Sequence, residues 1–73
     1  MNAADFREWR ARMGFAGRGG QRRTAEALGL STSMVRIYDN GMYPGGRPVN
    51  YPLALRLAMS ALAMGLPPWP PKM

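Results

Sequence analysis

The apolar positions of this chain fall into four groups, and the first three have the spacing of a helix face. Phe6, Trp9 and Met13 recur at intervals of three and four, which predicts a first helix with these side chains inward. Asn2 is a natural N-cap, and Asp5 stands three residues on, as in a capping box, at a helix end that favours negative charge. Arg7, Arg10 and Arg12 share the remaining outward surface with Glu8, and Gly14 stops the helix. A second helix is predicted over residues 21–28, with Ala25 and Leu28 inward. A third begins after Ser31 as N-cap, runs to Tyr38 or Asp39 and ends before Gly41. Val35 and Tyr38 lie on its inner side, which leaves Thr32, Ser33, Arg36 and Ile37 facing out.

The fourth group behaves differently. Residues 53–64 are apolar almost all round, with only Arg56 and Ser60 polar and one turn apart on a narrow stripe, and Pro52 suits the first turn. A helix apolar on several faces has to bury several faces. Three other short helices cannot wrap it, so one face is expected on its own domain and another on a second copy. Residues 52–66 thus become a dimerisation helix, with Leu55, Met59, Leu62, Met64, Leu66 and Trp69 as the expected interface. Prolines keep the tail, residues 67–73, from being helical. Trp69 in that tail is either a lid on the core or part of the dimer contact. Two further segments are irregular. GFAGRGG, residues 14–20, is a glycine-rich connection that lacks the GKS or GKT of a nucleotide site, with Arg18 at its tip as a possible phosphate contact. NGMYPGGRPVNYP, residues 40–52, is an ordered loop rich in glycine and proline.

The break between the second and third helices gives the pattern a purpose. Ala25 is small enough for two helices to cross closely, Gly29 suits a sharp left-handed turn, and Leu30 plugs the bend. Residues 21–41 therefore have the layout of a helix-turn-helix, whose outward third-helix residues are free to enter a major groove. Gln21, Arg22 and Arg23 at the start of the second helix suit phosphate oxygens. The expected fold is all-α: a compact four-helix helix-turn-helix DNA-binding domain with an irregular proline-rich tail, occupying residues 1–73 as a single unit.

Charge and missing residue types narrow the function further. The chain has 73 residues, which is one small domain of marginal stability. It has no cysteine and no histidine, and its acids are only Asp5, Glu8, Glu26 and Asp39, scattered along the sequence. Catalysis, a metal, a cofactor and a small-molecule ligand are accordingly not expected. Ten basic residues, nine of them arginine, give a net charge of +6, which favours a polyanionic partner. Nucleic acid is the first candidate. An anionic membrane is the second, but the apolar stretch 53–66 contains Arg56 and is too short to span a bilayer. The opening residues have no continuous apolar run, so a cytoplasmic location is expected.

The signature Gln21, Ala25, Leu28-Gly29, Ser31, followed by Ser33, Val35, Tyr38, Asp39 and Gly41, resembles the lambda-repressor-like, or Cro/XRE, regulators in register. QRRTAEALGLS, then VRIY, then Arg47-Pro48 and Tyr51 before an apolar helix, is similar to the small anti-CRISPR-associated repressors of phages and mobile elements, over roughly residues 21–66. This resemblance implies a homodimeric repressor on an inverted repeat at its own operon's promoter, shutting off transcription after an early burst. In that group Arg22 and Arg23 match a pair of DNA-contacting arginines and Arg36 a basic position. Ser33 stands where the group can carry a base-reading arginine, and Thr24 where an apolar residue is commoner.

The candidate DNA-contacting set is Gln21, Arg22, Arg23, Ser31, Thr32, Ser33, Arg36 and Arg47. Arg36 is the candidate base reader, through two hydrogen bonds to guanine, with a phosphate contact as its alternative. Gln21 is expected on the DNA backbone, and Arg22 and Arg23 act as phosphate clamps first. Thr32 and Ser33 can bond bases or phosphates, or cap the helix. Arg47 either touches phosphate or is solvated, and Met34 and Ile37 either meet a thymine methyl or pack. The competing function is an antitoxin or adaptor whose fourth helix binds a different protein.

Overall fold

A computed structural model describes residues 1–70; Pro71, Lys72 and Met73, the end of the proline-rich tail, lie outside the described residues. The chain is all-α, built from α1 (Ala3–Arg12), α2 (Gly20–Leu28), α3 (Thr32–Asn40) and α4 (Leu53–Ala63). Among the described residues the only β-type pairing is one isolated bridge, Met42 to Pro48. α3 packs on both α1 and α2, and α2 also packs on α4. No helix among the described residues is long and apolar enough to cross a membrane.

The helix ends follow local chemistry. The Asn2 side chain accepts from the Asp5 amide at 2.9 Å while the Asp5 carboxylate accepts from the Asn2 amide at 3.0 Å, a complete capping box. Ser31 Oγ accepts from the Met34 amide at 3.1 Å and starts α3. Gly29, with φ 69°, closes α2 in the left-handed conformation that a residue without Cβ adopts cheaply. Three boundaries differ from the sequence expectation. Met13 is the C-cap of α1 rather than part of its last turn, α2 begins one residue earlier, at Gly20, and α3 continues to Asn40. Gly20 is admitted because the Phe15 carbonyl passes directly over it; a Cβ there would lie 1.9 Å from that oxygen.

Phe6, Ala25, Val35, Tyr38, Val49, Leu55 and Met59 form the core. Phe6 is wholly buried, with its ring 5.4 Å from Tyr38, 6.2 Å from Tyr51 and 6.3 Å from Trp9, centre to centre. Burying a side chain of this size contributes about 1.5–3 kcal/mol, a large share of what holds so small a domain. Polar tips of the aromatics tie the elements together. The Trp9 indole donates to the Met59 carbonyl at 3.0 Å and joins α1 to α4. The Tyr51 hydroxyl donates to the Tyr38 carbonyl at 2.6 Å and joins the loop before α4 to α3. Burial raises the pKa of both tyrosines above the ordinary 10.0, with the Tyr43 hydroxyl adding to the shift at Tyr38.

Two expectations about facing directions change. Arg10 does not share the outward surface of α1; its side chain is only 11% exposed and turns under the helix to Asp39. Leu55 and Met59 do not belong to an outward interface, because both are buried in the subunit's own core. The outward ridge of α4 is instead Leu53, Leu57, Ser60 and Met64, at intervals of four, three and four, with Leu53 61% and Leu57 60% exposed. Leu62 is half-buried, and Met64 and Leu66 are exposed. Trp69 is 89% exposed, so it is no lid on its own core.

Candidate nucleic-acid interface

The corner between α2 and α3 is held from below by a buried polar hub. Asp39 Oδ2 accepts from Arg10 Nη1 at 2.5 Å and from Gln21 Nε2 at 2.8 Å. The same guanidinium donates through Nε to Thr24 Oγ1 at 3.0 Å and through Nη2 to the Phe15 carbonyl at 2.9 Å. Thr24, wholly buried, donates in turn to the Gly20 carbonyl at 2.8 Å. Arg7 donates to the Asp39 carbonyl oxygen. One arginine thus joins α1, the glycine-rich loop, α2 and α3. A charge taken out of water demands this degree of partnering, since an unpaired one is strongly destabilising.

This hub explains one residue whose place differs from the sequence expectation and one whose polarity is unusual for its position. Gln21 does not lie ready for the DNA backbone; its amide points inward to Asp39 and fixes α2 to α3. Thr24 is polar at a core position because its hydroxyl bridges Arg10 and the α2 backbone. The remaining candidates separate into three kinds. Ser31 uses its hydroxyl as a cap. Arg22 pairs with Glu26 at 3.2 Å, an exposed pair that is worth little and yields readily to a stronger anion. Arg23 donates to the Arg18 carbonyl at 3.3 Å and the Ala16 carbonyl at 3.4 Å, closing the glycine-rich loop beside the uncapped start of α2.

Thr32, Ser33, Arg36 and Asn40 form the exposed side of α3, while Val35, Tyr38 and Asp39 form its buried side. The Arg36 side chain makes no hydrogen bond or ion pair with another described residue. No acid faces out here either. Asp5 is in the capping box, Glu8 pairs with Arg12 at 3.0 Å, Glu26 is on α2 and Asp39 is buried. Asn40 is missed by sequence reasoning because the expected helix stops short of it; its position seven residues after Ser33 and four after Arg36 is the available signal. Met34 and Ile37 are both half-buried and pack on the core, and Ile37 also borders the exposed face.

The loop after α3 is folded back on itself. The Tyr43 amide donates to the Arg47 carbonyl at 2.8 Å, and the Gly46 amide to the Tyr43 carbonyl at 3.0 Å. Val49 is buried in the core, and its amide donates to the Gly41 carbonyl at 3.1 Å. Arg47 is exposed and lies over the Tyr43 ring, 5.7 Å from its centre, which restricts it without neutralising it. The surface of α3 and this loop together enclose a groove of about 400 Å³. Comparison with protein-family models, with curated proteins and with solved structures found no match.

Proposed function

We propose that this protein is a sequence-specific double-stranded DNA-binding regulator of transcription of the helix-turn-helix kind, a homodimer that represses its own operon's promoter from an inverted repeat. The observation that carries the reading is the exposed face of α3. It presents Ser33, Arg36 and Asn40 with no internal partner for the arginine among the described residues and no acid beside it, on a helix clamped from behind by the Arg10–Asp39 hub. Arginine and asparagine are the side chains that read guanine and adenine through paired hydrogen bonds, and rigid backing makes such reading selective. Arg22 and Arg23 on α2 and Arg47 in the loop after α3, all exposed, serve as phosphate contacts. Autorepression by this type of dimer is the expectation raised by the resemblance of residues 21–66 to anti-CRISPR-associated repressors.

The outward ridge of α4 supports the dimer. Leu53, Leu57 and Met64 on that ridge are each more than half exposed. They amount to on the order of 400 Å² per subunit, about half of the roughly 800 Å² per partner of a stable interface, and Trp69 beyond the helix is a further exposed apolar side chain. Two α3 helices related by the dimer's two-fold would meet half-sites about 10 base pairs apart. A mobility-shift titration on a duplex spanning the gene's upstream region tests the reading. With about three or four phosphates neutralised per subunit, log affinity falls against log salt with a slope of about −5 to −7. A slope near zero sinks it. A chain that stays monomeric at micromolar concentration points instead to the antitoxin or adaptor, whose α4 ridge takes a different protein.

A further inference from the structure

The groove beside α3 is more than a by-product of the loop. Arg36 and Asn40 form its polar wall, and Ile37, Met42, Tyr43 and Pro44 form an apolar one. Met42 is 52% exposed, an apolar side chain that the core does not use. The apolar wall is held in place by the Met42–Pro48 bridge, by the Tyr43 and Gly46 amides and by buried Val49. Among the described residues Arg36 is the only charge lining the groove, and Arg47 stands behind Tyr43. An arginine and an apolar shelf side by side, with no acid, match one polyanion surface in particular. In the major groove of DNA the only apolar group on any base edge is the 5-methyl of thymine.

We propose that this groove receives the 5-methyl group of a thymine adjacent to the base pair that Arg36 reads, so that each half-site is recognised as a guanine with a neighbouring thymine. The inference rests on the DNA-binding reading above. Ile37 and Met42 supply the contact surface, and Tyr43, pinned by Arg47, fixes the depth of the shelf. Cytosine at the same position presents no methyl group and leaves the shelf wet. The loop thereby takes part in sequence discrimination rather than only in bracing α3.

The test uses the wild-type protein and the duplex it protects, with each thymine replaced in turn by deoxyuridine, which lacks only the methyl group. One position in each half-site should weaken binding about fourfold, and about fifteenfold when both half-sites are changed, the effect of one apolar carbon removed from contact. Met42→Ala, at an exposed position that leaves the core intact, should lose affinity for the thymine duplex and show a much smaller difference between thymine and deoxyuridine. If the protein prefers its own duplex to a shuffled one, yet no deoxyuridine changes affinity by more than twofold, the groove is not a methyl receptor. A Met42→Ala protein that keeps the full thymine preference overturns the proposal as well. If the protein does not distinguish its own duplex from the shuffled one, the DNA-reading proposal itself falls, and this inference with it.

Discussion

Asp39→Ala is the sharpest perturbation of the structure that supports the candidate interface. It removes the acceptor for Arg10 Nη1 and for Gln21 Nε2, and it strands a guanidinium whose side chain is only 11% exposed. Breaking a buried pair by deleting one partner costs about 3–5 kcal/mol. A chain of 73 residues has a total stability on the order of 4–11 kcal/mol, so the loss takes about a quarter of it or more. Asp39→Asn should be milder. It retains an oxygen for Arg10 and Gln21 and puts an amide where Oδ1, buried and without a partner among the described residues, now sits. Arg10→Met alone should cost about as much as Asp39→Ala, because it strands the carboxylate, but the double substitution should cost far less than the two losses added. Urea melts followed by helical circular dichroism measure all four. An Asp39→Ala protein within about 1 kcal/mol of wild type, or two losses that simply add, would refute the role assigned to the hub.

Three further outcomes follow from other parts of the molecule. Gly20→Ala should destabilise by at least the roughly 1–3 kcal/mol of an overpacked site, since its Cβ meets the Phe15 carbonyl at 1.9 Å; an unchanged urea midpoint would contradict the packing described. Leu57→Glu should turn a dimer into a monomer in sedimentation while helical content stays the same, because the side chain is exposed on its own subunit; an unchanged sedimentation profile would remove α4 from the interface. Alkaline pH should weaken the fold. Tyr38 and Tyr51 have pKa values raised by burial, so the stability they give is whole below the ordinary 10.0 and is lost as pH climbs through their folded values. Tyr51→Phe should flatten the fall in melting temperature across that range; an identical pH profile would show that the Tyr51 hydroxyl is not involved.

The parts of this fold legible in the sequence are those set by neighbours along the chain. Asn2, Ser31, Gly29 and Gly41 mark helix ends by local hydrogen bonding and backbone conformation, and Phe6, Ala25, Val35 and Tyr38 show their inward direction by periodicity. Arg10 and Gln21 are illegible because a charged or amide side chain counts as outward in any amphipathic pattern. Their inward turn depends on Asp39 and Thr24, which only tertiary packing brings within reach. In α4 the apolar residues leave no contrast from which to choose a face, so the pattern assigns Leu55 and Met59 to the partner although they fill the subunit's own core. Val49 and the back-folded loop are hidden for another reason. Glycine and proline announce a turn without saying what the turn packs against, and the shelf formed by Met42 and Tyr43 exists only because Val49 anchors it.

The central claim is that the outward face of α3 reads DNA sequence through Arg36. The direct measurement is the ratio of affinities for the upstream duplex and a shuffled duplex, for wild type and for Arg36→Ala at the same salt concentration. Wild type should prefer its own duplex, and Arg36→Ala should reduce that preference by about 5- to 150-fold per half-site, the equivalent of about 1–3 kcal/mol of base discrimination each and so about 30-fold or more for the dimer, while binding to the shuffled duplex changes little. Equal losses on both duplexes would make Arg36 a phosphate contact and leave the face without its reader. A wild type with no preference at all would contradict the claim outright.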